Sequence, residues 1–163
     1  MDENRFWNMI EDAWKICGGM TEIRQNLISG NASESDIESL NDARETVVQA
    51  LKDMLSDLSQ EDLLAFDRIL ERKLYDIDRE DIHEFTDGSD DGFLYARGLI
   101  VAAGKGYYDA VNANPSIAIS DLECEEMCYL SFHLYWDKYE TPPPNSEISR
   151  ESCSNLVAWP GLK

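Results

Sequence analysis

A chain of 163 residues is long enough to bury one core without disulfide or metal staples. Its 43% hydrophobic and 10% aromatic content excludes global disorder. Fourteen Lys and Arg against 33 Asp and Glu leave a formal net charge of −19, a field that repels nucleic acid and anionic membrane. No segment reaches the roughly 20 apolar residues needed to cross a bilayer. The start Met1-Asp2-Glu3-Asn4-Arg5 is acidic and lacks a signal-peptide layout. Cys17, Cys124, Cys128 and Cys153 are widely scattered and read as free thiols, so the expected location is the cytoplasm.

Phe6, Ile10, Ala13 and Cys17 recur at three-and-four spacing with Trp7 and Trp14 beside them, which predicts a first helix over 3–17 ended by Gly18-Gly19. Ile23 and Leu27 mark a short helix within 20–30. From Ser35 or Asp36 a longer helix follows, with Ile37, Leu40, Val47, Leu51, Met54 and Leu58 on one face and Arg44 its one polar member. Ser59 caps the next, whose face is Leu63, Phe66, Leu70 and Leu74. The tight junction predicts that these two helices pack as an antiparallel hairpin.

Residues 76–91 hold eight acids against the single base Arg79, yet Ile77, Ile82 and Phe85 keep an apolar side, so a short surface helix is expected over 79–85. Ser89 then caps the most apolar stretch, read as one central helix from Asp90 to Asn112, with Gly98, Gly104 and Gly106 as points of close approach. A last helix is expected from Ser120 or Asp121 to about Tyr139, through Leu122, Tyr129, Phe132 and Trp136, ended by Pro142-Pro143-Pro144. The expected fold is therefore all-α: a single-domain bundle of about five to seven helices over 1–141, its last helix terminated by proline. An irregular tail over 142–163 follows, with Leu156, Val157 and Trp159 available to anchor it.

From Ser59 onward an ordered series of blocks carries a resemblance. After Phe6-Trp7 come Leu63-Leu64-Ala65-Phe66-Asp67, then Gly88-Ser89-Asp90-Asp91-Gly92-Phe93, Arg97, Leu99-Ile100, Gly104-Lys105-Gly106 and Asn114-Pro115. In these the chain resembles a bacterial family known as domain-of-unknown-function family 4240, over roughly residues 1–140. It departs from the family where the charged run Asp78–Glu84 stands in place of an apolar stretch. The resemblance implies a helical domain and no particular activity.

No motif establishes catalysis. Asp87-Gly88-Ser89-Asp90-Asp91-Gly92 opens like a calcium loop, but the bidentate Glu required at position twelve is Gly98, and helix capping accounts for the run better. Cys124, Cys128 and His133 supply at most three soft ligands near one side of a helix, and a structural zinc needs a fourth. His83 lies in no zinc motif, and Gly104-Lys105-Gly106 lacks the rest of a phosphate loop. No catalytic residue, cofactor or metal is expected. Arg97, beside an apolar stripe, calls for a buried partner such as Asp90, Asp91 or an acid of the short helix; the alternative is a ligand-binding arginine.

The leading functional expectation is a non-enzymatic, acidic interaction module for a basic protein, an immunity protein for a secreted toxin being one such class. Between Lys105 and Arg150 the only base is Lys138, against eight acids. The alternative is a small-ligand-binding protein or enzyme with a cleft around Arg97 and the Ser89–Asp91 cap. Candidate binding residues are Glu80, Asp81, Glu84, Asp87, Asp90, Asp91 and Arg97. A weaker third reading is mimicry of nucleic acid by regularly spaced carboxylates.

Overall fold

Capping chemistry divides this chain into helices more finely than apolar periodicity does. In the computed structural model, which describes residues 1–86, 88–120 and 122–162 (162 in backbone alone), Asp2 accepts from Arg5 N at 2.8 Å and starts α1, Glu3–Ile16. Gly18 and Gly19 unwind it at φ +89° and +77°, a conformation that costs glycine little. α2 is Thr21–Ile28. α3, Glu34–Ser56, begins at Ser33 with a capping box to Asp36. α4, Gln60–Asp76, begins at Ser59, which accepts from Asp62 N. α5, Glu80–His83, is a single turn, and α6, Asp90–Ala102, starts where Ser89 accepts from Gly92 N at 3.0 Å.

The bundle of five to seven helices needs correction. Eight α-helices form among the described residues, together with 3-10 turns at Pro115–Ile117 and Pro160–Leu162. The expected helix 90–112 breaks at Gly104, whose φ of +100° is left-handed, and resumes as α7, Lys105–Ala113. Tyr107 and Val111 stay buried beyond the break, so the apolar pattern runs across it unbroken. The bend lets Arg24 reach the Ala103 carbonyl at 3.1 Å while paired to Glu11, and Gly106 meets Ile28 of α2.

The proline-terminated last helix is corrected as well. α8, Glu125–Tyr139, starts after Cys124, later than expected. It ends at Glu140, which turns left-handed at φ 54°, so the chain has left the helix before the prolines. Lys138 secures this end by donating to the Ser56 and Leu58 carbonyls at 2.7 and 3.0 Å.

Nor do α3 and α4 pack as a hairpin. Each lies instead against α1 and α8, and α6 packs chiefly on α8. Gly98 permits that approach: a Cβ there would come within 2.6 Å of Cys128 Sγ and closer still to the Cys124 carbonyl oxygen. Helix α8 is therefore the member around which α3, α4 and α6 assemble.

The C-terminal segment is held by buried polar groups. Asp78, fully buried, accepts from the backbone N–H groups of Cys153, Ser154 and Asn155 at 3.0, 2.7 and 2.9 Å, and from Trp159 Nε1 at 3.0 Å. Trp159 packs between His83 and Phe93, whereas Leu156 and Val157 remain exposed. No helix among the described residues is long and apolar enough to cross a membrane.

Candidate functional site

The residues singled out in the sequence go to three places. Asp90 and Asp91 lie exposed in the first turn of α6, where carboxylates favour the helix N-terminus. Glu80, Asp81 and Glu84 share a shallow groove of about 290 Å³ with Arg79, Ala158 and Pro160. Two of these acids are already engaged. Asp81 pairs twice with Arg79, at 2.9 and 2.6 Å, which holds its pKa below the usual carboxylate range. Glu80 accepts from Gly161 N at 3.0 Å. Asp87 lies outside the described residues.

Arg97 is fully covered and lines neither the α5 groove nor the trough beside α3. Its partners differ from those expected: it donates to the Leu74 and Arg150 carbonyls at 2.8 and 3.0 Å and to Ser152 Oγ at 3.0 Å. The guanidinium lies over the Phe93 ring at 4.8 Å, and its Nε has no hydrogen-bond partner. Burial lowers its pKa, opposed by the field of Asp78. This arginine ties the C-terminal segment to α4 and α6.

Sequence reasoning missed a second buried cation. Arg150 donates to Asp67 Oδ1 at 2.8 Å and to the Cys128 carbonyl at 2.7 Å, and pairs with Glu71 at 3.0 Å. Asp67, also fully buried, accepts from Ser131 Oγ at 2.7 Å. Burial works against the charge on Arg150, but the two carboxylates outweigh it and hold its pKa up. Ser131 and Cys128 thus place polar contacts on the inward side of α8.

The outward side is aromatic. Tyr129, Phe132, His133 and Trp136 recur at helical spacing, and Trp136 is 48% exposed. The last helix does run through Tyr129, Phe132 and Trp136, and its buried residues are Met127, Cys128, Leu130, Ser131, Leu134 and Tyr135. Tyr129 stacks on His133 at 5.8 Å between ring centroids, and Phe132 lies 6.0 Å from Trp136. From beneath, Arg150 sits 5.9 Å from the Tyr129 and Phe132 rings, and Tyr129 donates to Glu151 at 3.0 Å. The ladder is held in place before any partner arrives.

Beside it a groove of about 370 Å³ runs between α3 and α8, with Val48 and Leu130 at its base and Glu45, Gln49, Lys52, Glu125, Glu126, Tyr129 and His133 around it. Every described base other than Lys52 is engaged by a carboxylate or a backbone carbonyl. No ion pair among the described residues involves Glu45, Glu125, Glu126, Asp137 or Glu140. Negative charge without a cationic partner therefore lies beside the exposed rings. His133 is exposed whereas Cys124 and Cys128 are buried, and no group of three metal-binding side chains occurs among the described residues.

These features define an all-α protein with an acid-framed aromatic surface on its central helix. The chain belongs to DUF4240, a family of proteins of unknown function, whose family model matches residues 1–137. Comparison with curated proteins and with solved structures returns no match.

Proposed function

We propose that this protein is a non-enzymatic interaction module that binds a basic protein. The observation that carries the reading is the internal use of its bases: the described cations other than Lys52 are spent on carboxylates and carbonyls, while the acids beside the α8 aromatic ladder are in no ion pair among the described residues. Such a surface attracts a cationic protein over a range set by the Debye length and holds it through aromatic contact. An immunity protein facing a basic toxin is one instance of this class. The small-ligand alternative draws no support from Arg97, whose guanidinium is fully covered.

The test is affinity capture from the source cell with the intact chain and with an E45Q/E125Q/E126Q variant. A protein of net positive charge should be retained by the intact chain at about 50 mM salt and released by about 0.5 M, the range over which exposed charges become screened. The variant should retain much less of it. Retention of neutral or acidic proteins alone, indifferent to salt, would refute the reading.

A further inference from the structure

The outer sides of α3 and α8 form one continuous surface. Glu45 and Gln49, a turn apart on α3, line both the α3–α8 groove and a trough of about 530 Å³ on the other flank of α3, where Ile16 is 68% exposed. Across the groove Tyr129, His133 and Trp136 stand at i, i+4 and i+7, a span of about 10 Å along the helix axis. Apolar exposure of this kind, rimmed by charge, marks an interaction surface.

We infer that this surface docks a basic amphipathic helix of a partner protein. Its apolar stripe lies on Leu130, Tyr129, His133 and Trp136, and its cations face Glu45, Glu125 and Glu126. The inference rests on the basic-partner reading above and adds the place and the shape of what binds.

Three observations select this occupant. First, no β-strand occurs among the described residues, so no sheet edge offers backbone pairing to an extended peptide. The surface offers a furrow between helices, and the matching mode is helix-in-groove, read by anchors at i, i+3, i+4 and i+7. Second, the charges are complementary: three carboxylates edge the groove, with Lys52 the one cation on its rim. Third, the rings are pre-set by mutual stacking, by the Tyr129–Glu151 hydrogen bond and by Arg150 beneath them. Ordering them on binding costs little, as expected of a preorganised recognition surface.

Trp136 provides the readout, since Trp7, Trp14 and Trp159 are each at most 5% exposed. The probes are two synthetic peptides of about 14 Leu and Lys residues: one patterned as an amphipathic helix, the other the same composition scrambled. The patterned peptide should blue-shift Trp136 emission and protect it from iodide, with an affinity about ten-fold above the scrambled one. E45Q/E125Q/E126Q should lower that affinity about ten-fold while the helical circular dichroism at the assay temperature is retained. A W136F variant should remove the shift and confirm its source.

Equal binding of the two peptides, or binding unchanged in the triple variant, overturns the docking inference while leaving a basic partner standing on another surface. If neither cationic peptide binds, in low salt as in high, the basic-partner reading falls with it.

Discussion

The two faces of α8 use opposite chemistry. The inward face carries Cys128 and Ser131, and it closes over two fully buried charges, Asp67 and Arg97, with Arg150 nearly so. The outward face carries rings of the kind a core is expected to claim: His133 and Trp136 are exposed, and Tyr129 and Phe132 are half-buried. The difference teaches that polarity alone does not sort a helix in this protein: its inner polar groups are structural because they are paired under cover, and its outer aromatics pair with one another at the surface. Substitutions on the inward side should therefore unfold the chain, and those on the outward side should leave it folded and alter what it binds.

The largest expected effect comes from Arg150→Met. Removing this cation takes from buried Asp67 its closest partner, leaving it only Arg68 at 3.6 Å, while Glu71 keeps Arg68 at 2.7 Å; the loss costs about 3–5 kcal/mol, measured by urea denaturation. Adding Asp67→Asn and Glu71→Gln to it should restore part of that loss, since a neutral site no longer holds an unpaired charge. An Arg150→Met protein as stable as the parent would show that the inward network is not structural.

Asp78→Ala comes next, at about 3 kcal/mol, because it leaves three backbone N–H groups without their acceptor and the Trp159 indole with the residue-78 carbonyl alone. Its signature is local: Trp159 fluorescence should move toward that of an exposed indole before global unfolding. Gly98→Ala should cost about 1–3 kcal/mol by forcing α6 away from the Cys124 carbonyl, read as a lowered Tm.

The thiols separate the faces in a pH-dependent way. Burial pushes the Cys124 thiol up to about 11, and Cys128 is raised further. A thiol whose folded pKa lies above its unfolded value contributes stability that is complete below about pH 8.5 and lost as pH rises toward the folded pKa. Stability should accordingly fall between about pH 8.5 and 11. At about pH 8, Cys17 and Cys153 should react with a thiol reagent well before Cys124 and Cys128. The smallest effect belongs to the outward face: Trp136→Ser should change stability by no more than about 0.5 kcal/mol.

Much of this architecture was legible because it is local. Ser59, Ser89 and Gly18-Gly19 act within a few residues of themselves, and the helix ends they set fall where the sequence places them. What escaped was relational. Asp67 and Arg150 are 83 positions apart, and nothing in either neighbourhood announces the other. The Gly104 break hid because buried residues continue in step on both sides of it, although its positive φ is the kind of position only glycine takes readily. On α8 the spacing of Tyr129, Phe132 and Trp136 marks one face correctly. Spacing cannot say which way that face turns, and the acids Glu125, Glu126, Asp137 and Glu140 were the signal that it turns outward. For the candidate residues, Glu80, Asp81 and Glu84 were found together, but Arg97 proved a buried tie.

Two acidic surfaces now compete for the partner, and each carries one exposed aromatic: Phe85 beside the α5 acids at 42% and Trp136 on α8 at 48%. The direct test places a photo-crosslinking amino acid at position 85 or at position 136 and irradiates in the source cell. The account predicts an adduct to a basic protein from position 136, none from position 85, and loss of the adduct on adding E45Q/E125Q/E126Q. An adduct from position 85 alone, or one from position 136 that survives the triple substitution, would contradict it.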